Sequence, residues 1–286
     1  MWDLHMHTNL SDGELMVEQL CTYLKKEKIK LFSITDHNHA LAYKEKLPTD
    51  IAYITGAELA TSYKGKIIEI HGYLNDPKVI NQWYRNFYSS ENLVRNEQLL
   101  FERIQKVAQK EGLNYTENLQ MPEIKKGISK KTMYQDLVEN NPALIKTFPT
   151  YKTFFRKGLS GPESKLFINE GSTYPTRQEV IDLIHQAGGK AVLAHPYEYQ
   201  FPDTMKELNL LRQELDGIES FHPSASYRQS LAVVDFCNDN HLITSGGSDF
   251  HRFAKRVRVG VRVYEDLYEA LPFQWLHEFI SKEEFV

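Results

Sequence analysis

No run of apolar residues in this 286-residue chain is long enough to cross a bilayer, so nothing in it reads as a transmembrane helix. A basic-then-apolar leader is also missing ahead of Asp3 and His5, and the expectation is a cytoplasmic protein with no membrane partner. Cysteine is scarce. Cys21 and Cys237 stand far apart, each inside an apolar helical pattern, which excludes a disulfide framework and a thiolate zinc knuckle. An excess of one charge is lacking too: 34 Lys and Arg face 38 Asp and Glu, a net charge of -4. Broad binding to duplex nucleic acid is thereby disfavoured, and any phosphate must be met by a local basic pocket. There is no internal repeat and no low-complexity segment. What remains is an enzyme-sized composition, 41% hydrophobic and 25% charged, enough for one large domain or two small ones.

Strand-like and helix-like stretches alternate at both ends of the chain. The segments "MWDLHMH", "IKLFSITDH", "IAYITGAEL", "KIIEIHGYL", "GKAVLAHP", "GIESFHP" and "HLITSGGSD" each read as a buried parallel strand whose C-terminal end turns polar. Glu14 to Lys28 carries Leu15, Val17, Leu20, Cys21 and Leu24 at helical spacing. Thr176 and Glu179 make a capping box before Val180, Ile181 and Ile184, and Gly188-Gly189 stops that helix. Such strand-then-helix grammar predicts an α/β fold. From Pro77 to about Thr150 the pattern is instead long, polar and helical, with one helix expected from Asp76 to Lys110 and a second from near Ser129 to Pro142. The economical division is 1–76 and 165–286 as two parts of one barrel, with 77–164 as an inserted helical cap over its mouth. From Arg256 onward, "RVGVRVY" predicts a last strand, followed by an amphipathic helix through Leu267, Leu271, Trp275, Leu276 and Phe279 that closes the core or contacts a second copy.

Polar residues collect where the predicted strands end: His5 and His7, then His37, Glu58, His71, His195, and finally Asp249 with His251. In a (β/α) barrel those ends open onto one face, so residues remote in sequence converge there. Alternation along a strand sends His5 and His7 to one side, and likewise Asp249 and His251. Asp12 returns by the loop that follows, and Gly13 is expected to supply the backbone freedom for that turn. Imidazoles and carboxylates without thiolates suit divalent zinc, manganese or iron. Nine candidate ligands (His5, His7, Asp12, His37, Glu58, His71, His195, Asp249 and His251) exceed the roughly four of a single tetrahedral site, which predicts two or three ions with Glu58 bridging.

Each residue also has a blander reading. A lone His-x-His is commonly a pair of hydrogen-bonded surface residues, and His37, His71 or His195 taken singly would pass for satisfied core histidines. Convergence on one predicted face argues otherwise for the set. Glu58 as an ordinary helix N-terminal carboxylate is disfavoured, because a buried carboxylate needs a compensating charge. Asp36, just before His37, reads as a structural residue or as one that backs a ligand rather than as a ligand itself. Solvation or packing accounts for His185, His241 and His277, His39 stays undecided near the mouth, and His222 past the strand end in "ESFHPSAS" is a candidate for substrate contact.

With these residues in view, "DLHMHTNLSDG", "ITDHNHA", "GAEL", "IHGY", "LAHP", "FHPS" and "GGSDFH" closely resemble the polymerase and histidinol phosphatase (PHP) family. The resemblance covers about 1–75 and 165–255 in the right order, and the middle resembles the cap of the family's small-nucleotide branch, which includes nucleoside 3',5'-bisphosphate phosphatases. It implies a distorted (β/α)7 barrel and a trinuclear centre. Carried over position by position, it implies His5, His7, Glu58 and Asp249 on one ion, Glu58, His71 and His195 on a second, and Asp12, His37 and His251 on a third. One departure stands in the cap, where nucleotide-specific members carry Arg-x-His and this chain reads Ser129-Lys130-Lys131-Thr132. Lys is a point charge without the bidentate fork of Arg, so a phosphate clamp there would fix orientation less well.

The chemistry expected is metal-dependent phosphoester hydrolysis, in which ions activate a water for in-line attack and stabilise the leaving oxygen. Asp249 belongs to the catalytic set, and His195 or His222 would protonate the leaving alkoxide or bind the phosphoryl group. Lys130, Arg156, Arg177 and Arg252 are candidates for the substrate's phosphate, each with solvated surface charge as the plainer alternative. The substrate expected is a small nucleotide: a nucleoside bisphosphate, a mononucleotide, or a short RNA or DNA end trimmed one unit at a time. Histidinol phosphate and a cyclic phosphate diester are the alternatives within the enzyme class. A catalytically silent module held together by its metals is the rival outside it.

Overall fold

The computed structural model describes residues 1–161, 163–253 and 258–286, which form two compact units. The first comprises 1–61, 67–84 and 175–286, and the second 62–66 and 85–174.

The strand ladders form two sheets. β1 (Trp2–Asp3), β2 (Leu31–Phe32) and β3 (Ala52–Tyr53) pair in parallel in that order. The second sheet has the order β4 (Gly56–Tyr63), β5 (Lys66–Tyr73), β6 (Lys190–Leu193), β7 (Gly217–Phe221), β8 (Ile243–Gly246). One continuous closed sheet is therefore not what the ladders form, and the coarser expectation of a mixed α/β fold is what holds. Individual backbone hydrogen bonds extend from sheet to sheet. Leu4 N–H donates to the Gly246 carbonyl at 3.1 Å, Asp249 N–H to His5 at 2.9 Å, and His7 N–H to Phe250 at 2.9 Å. On the other side Thr35 N–H donates to Met6 at 2.8 Å, Glu58 N–H to Asp36 at 3.2 Å, and Asn38 N–H to Glu58 at 2.7 Å.

Not every strand is parallel. Lys64 (φ 48°) and Gly65 (φ 78°) join β4 to β5 in a two-residue turn with both residues left-handed, the geometry that favours a hairpin. β5 then pairs antiparallel with β6, whereas β6, β7 and β8 are mutually parallel. The reversal matters for the site, because the N-terminal half of β5 is what lies beside the C-terminal end of β6.

Helices α1 (Val17–Lys26), α7 (Arg177–Gln186), α8 (Thr204–Leu211) and α9 (Tyr227–Asp239) alternate with the strands. α1 is shorter than its apolar spacing predicts, and α7 begins at the Thr176/Glu179 capping box. Val17, Leu20, Cys21 and Leu24 are buried with Met6, Phe32 and Phe250. Burial pushes the thiols of Cys21 and Cys237 up to about 11 and about 12, so neither is a ready nucleophile. The C-terminal stretch departs from expectation. Arg256 and Val257 lie outside the described residues; beyond them Val261 makes a single antiparallel bridge to Trp2 rather than a strand. The expected amphipathic helix is two 3-10 segments, Glu265–Glu269 and Leu271–Leu276, before α10 (Lys282–Phe285). Pro272 at the start of the second removes a donor there. The segment still closes the core, with Phe285 stacked on Trp2 at 5.5 Å and Phe273 edge-on to it at 6.0 Å. Each such fully buried side chain contributes about 1.5–3 kcal/mol.

The expected single helix over 76–110 is two: α2 (Pro77–Phe87) and α3 (Ser90–Lys110). Ser89 caps α3 by accepting from Asn92 N–H at 3.4 Å, while the Asn92 amide donates to the Phe87 carbonyl at 3.1 Å, so one residue serves both ends of the break. In the second unit α3 packs on α4 (Ile128–Asn140) through Leu100, Phe101, Ile104, Met133 and Leu137. The Glu97 carboxylate caps α4, accepting Gly127 N–H at 2.6 Å and Ser129 N–H at 2.9 Å. Two single turns, α5 (Leu144–Thr147) and α6 (Tyr151–Thr153), precede a π-helical turn over Phe154–Leu159. Among the described residues no helix is long and apolar enough to cross a membrane.

Candidate metal centre

The first unit brings His5, His7, Asp12, His37, Glu58, His71, His195, Asp249 and His251 into one cluster. Glu58 is its hub. The carboxylate is 1% exposed; Oε1 lies 2.9 Å from His195 Nε2, 3.3 Å from His5 Nε2 and 3.5 Å from His71 Nε2. Oε2 lies 3.1 Å from His37 Nδ1 and 3.4 Å from His7 Nε2. Asp249 Oδ1 is 3.5 Å from His5 Nε2, 3.4 Å from His7 Nε2 and 3.2 Å from His251 Nδ1. Asp12 Oδ1 is 3.1 Å from His251 Nε2 and 3.6 Å from His37 Nε2.

Two close backbone approaches make this convergence feasible. A Cβ at Gly247 would run into the backbone and Cβ of His5, so glycine lets the end of β8 lie against the histidine strand. Gly13 is needed for the same steric reason rather than for a left-handed turn: its φ is not positive, but a Cβ there would meet the His7 carbonyl. Asp36 anchors the intervening loop, accepting from Thr8 N–H, Thr8 Oγ1 and Ser11 Oγ, each at 2.7 Å. His195 (φ 26°) and Asp249 (φ 51°) sit in left-handed backbone, a conformation costing about 1–3 kcal/mol at a non-glycine residue and commonly found where a side chain must be aimed.

Several ring nitrogens are already committed. Tyr73 Oη donates to the Leu4 carbonyl at 2.9 Å and so accepts from His71 Nδ1 at 2.9 Å. His251 Nδ1 donates to the Asp249 carbonyl at 2.9 Å, and His5 Nδ1 lies 3.1 Å from Glu219 Oε1. In all three the Nε2 is left facing the carboxylates, the arrangement that second partners impose on ligating histidines. Buried His5 Nε2, His7 Nδ1, His7 Nε2 and His71 Nε2 have no hydrogen-bond partner among the described residues. Unpaired buried nitrogens 3.3–3.5 Å from carboxylate oxygens are poor hydrogen bonds. They are close to the ~3.4 Å edge of a tetrahedron with ~2.1 Å bonds to zinc-like ions. The donor set fits divalent cations.

Electrostatics agree. Burial disfavours charge on Glu58, but His5 and hydrogen bonds from His195 and His37 hold its carboxyl well below the usual carboxylate range. Asp249 is likewise held low against burial by His222, His251 and His7, and Asp12 is lowered to about 2 by His251 and His37 despite partial burial. The carboxylates stay anionic. Against the desolvation that burial imposes, Glu58 lifts His37 to about 9, and Asp12 and Asp249 lift His251 to about 10. His7 and His71 shift down, chiefly by burial.

His222 differs from the other rings. Ser224 N–H donates to its Nδ1 at 3.1 Å, which leaves the neutral ring's proton on Nε2, 3.6 Å from Asp249 Oδ2. That Nε2 is buried with no hydrogen-bond partner among the described residues. The basic candidates have surroundings of their own. Lys130 is buried in the second unit, paired with Glu170 and 4.6 Å from the Phe155 ring centroid, and Arg156 is exposed there. Arg177 makes a forked pair with Glu214 at 2.6 and 2.8 Å, the commitment of a structural arginine. Arg252 is exposed beside His251. His39, His185 and His277 bond to the Leu10 carbonyl, Asp216 and the Tyr268 carbonyl.

Two carboxylates in the cluster escaped the sequence reading. Glu219 on β7 is fully buried, with one oxygen on His5 Nδ1 and the other accepting His195 N–H at 2.7 Å; despite burial, His5 holds it at about 2. Glu69 on β5 places Oε1 3.3 Å from His37 Nδ1 and Oε2 3.2 Å from His195 Nε2. The signal was present in "EIH" and "GIESF": a carboxylate on the inward face of an apolar strand.

Comparison with known proteins is consistent with this geometry. The PHP domain matches residues 3–224. The 5'-3' exoribonuclease Rnm of Escherichia coli (strain K12) is 26% identical over 92% of this chain and 89% of its own length. The phosphoribosyl 1,2-cyclic phosphate 1,2-diphosphodiesterase of Eggerthella lenta is 30% identical, over 40% of this chain and 42% of its own. Among solved structures, an amidohydrolase from Chromobacterium violaceum with bound sulfate and no metal shares the fold, with a TM-score of 0.59 and 21% identity over 91% of each chain.

Proposed function

We propose, from the premise that the chain belongs to the PHP family, that it is a metal-dependent phosphoesterase acting on the phosphate esters of small nucleotides or on short RNA ends. The observation that carries this reading is the hub: one buried carboxylate, Glu58, within 3.5 Å of five imidazoles, flanked by Asp12 and Asp249. Three ions fit the donor set, one at His5, His7, Glu58 and Asp249, one at Glu58, His71 and His195, and one at Asp12, His37 and His251. Manganese, zinc and iron all suit it. A distorted (β/α)7 barrel is the finer reading of the fold, supported by the backbone hydrogen bonds that join β8 to the β1 strand and the β2 strand to β4. The helical segment 77–164 is read as its inserted cap.

When bound, the ions supply an activated water and charge stabilisation at phosphorus. The chain's residues do the rest. Glu219, Tyr73 and the Asp249 carbonyl hold three ligand rings in one tautomer, and His222 offers Nε2–H to a phosphoryl or leaving oxygen. Arg252 is exposed and next to His251 in the chain, which supports it over the Glu214-paired Arg177 as the phosphate contact in the first unit.

The test is a panel of metal-reconstituted assays on mononucleotides, nucleoside 3',5'-bisphosphates, 5'-phosphorylated short RNA and DNA, histidinol phosphate and cyclic phosphate diesters, compared by specificity constant. The nucleotide or RNA arm is expected to lead. A leading cyclic phosphate, the chemistry named for the shorter E. lenta match, would move the substrate class. Turnover that survives exhaustive chelation would remove the metal-hydrolase reading, and no turnover on any substrate would revive the silent module.

A further inference from the structure

Glu69 stands two residues before His71 on β5, and alternate residues of a strand share a face. Because β5 runs antiparallel to β6, residues earlier in β5 lie nearer the end of β6, where His195 follows. Glu69 is accordingly rimward of His71, with its side chain 23% exposed against 0%. Its backbone is held firmly. Ala194 N–H donates to the Glu69 carbonyl at 3.0 Å, Glu69 N–H donates to Tyr199 Oη at 2.8 Å, and the Tyr199 ring lies 5.2 Å from that of His195.

The two oxygens of Glu69 repeat the pattern of Glu58. His195 Nε2 is 2.9 Å from Glu58 and 3.2 Å from Glu69; His37 Nδ1 is 3.1 Å from Glu58 and 3.3 Å from Glu69. Two carboxylates facing the same two rings repel unless positive charge lies among them. Of the three ligand sets above, the one containing Asp249 has four protein ligands, while Glu58, His71 and His195 are three. Glu69 Oε2 stands within a coordination-sphere edge of His195 Nε2, on the nitrogen that faces Glu58.

The geometry points to Glu69 as a fourth protein ligand of the ion held by Glu58, His71 and His195, an assignment that rests on the metal-centre reading above. The alternative role, accepting a hydrogen bond from His37 Nδ1 to orient that ring, makes a different prediction, because a glutamine oxygen would still accept that bond.

The experiment uses the full chain, stripped with chelator and titrated with Mn²⁺ or Zn²⁺ against a competing chromophoric chelator, with circular dichroism of each variant. Wild type, Glu69→Gln, Glu69→Asp, His71→Gln, the Glu69→Gln/His71→Gln pair and the exposed control Glu198→Gln are compared. Glu69→Gln is expected to weaken one ion per chain by about tenfold or more and leave the others unchanged, with Glu69→Asp recovering part of the loss. In the pair, the loss falls on the ion already weakened by His71→Gln. Unchanged affinities in Glu69→Gln, or a loss in the pair that falls on a different ion, would overturn the assignment. Should Glu69→Gln not fold, Glu69→Asp carries the same comparison: a weakening of the His71 ion alone supports the assignment, and unchanged affinities overturn it. A wild-type chain that takes up no ion would sink the metal centre itself, which separates that failure from this one.

Discussion

His37 and Glu58 meet twice: a parallel bridge pairs their backbones, and His37 Nδ1 lies 3.1 Å from Glu58 Oε2. The point where one sheet passes to the other is therefore also the middle of the candidate centre. A change at Glu58 acts on the site at its hub. Glu58→Gln keeps the shape but removes the charge facing five imidazoles. Its kcat/KM is expected to fall by about a thousandfold, several kcal/mol at tenfold for each ~1.4, together with loss of bound metal by elemental analysis. Wild-type metal content in that variant would contradict the hub role.

Glu219 touches no candidate substrate position; it holds His5 by Nδ1 and the His195 backbone by its N–H. Glu219→Gln should lower metal affinity and kcat by about 10–100-fold, the range for partners of ligating histidines. Competition titration reads the affinity directly.

His222 should separate from the ligands. With its Nδ1 accepting from Ser224, His222→Gln is expected to lower kcat by about a hundredfold, the contribution of one positioned proton donor, while bound metal stays at the wild-type ratio. Lost metal would instead place His222 among the ligands.

The pH dependence of the chelator-treated chain has a definite sign. His37 and His251 sit at about 9 and about 10 in the fold, against burial, because Glu58, Asp12 and Asp249 favour their protonated forms. In the unfolded chain they titrate near ~6.5. Between those values the fold binds more protons than the unfolded chain, so stability falls as pH rises. Their contribution is complete below ~6.5 and is lost as pH passes about 9 and then about 10. Urea unfolding from pH 6 to 10 checks this; a flat profile would refute it.

Metal binding carries the complementary sign, since ions need the same nitrogens unprotonated. Affinity is expected to rise with pH from 6 to 9, and proton release should appear in calorimetry as a dependence of the heat on the buffer's ionisation enthalpy. Identical affinities at pH 6 and 8 would contradict it.

The candidate cluster is legible in the sequence because its members mark the ends of apolar strands and occur in pairs, His5 with His7 and Asp249 with His251. Glu69 and Glu219 are not legible in the same way. β5 is reversed, so its rim residue precedes the histidine instead of following it, and Glu219 is explained by His5, 214 positions away. The break at Ser89 is hidden by helical periodicity that continues across it. Lone basic residues offer no pattern; only the fold shows Arg177 committed to Glu214 and Lys130 to Glu170.

By itself the sequence determined the alternation of strands and helices, the helical character of the middle of the chain and the chemistry of the donors, because periodicity and residue type are local properties. The tertiary structure alone decided strand direction, which carboxylates join the imidazoles, and which nitrogen of each ring faces inward. Those depend on contacts between residues far apart in the chain, so a local pattern such as "EIH" marks a candidate without encoding what it meets.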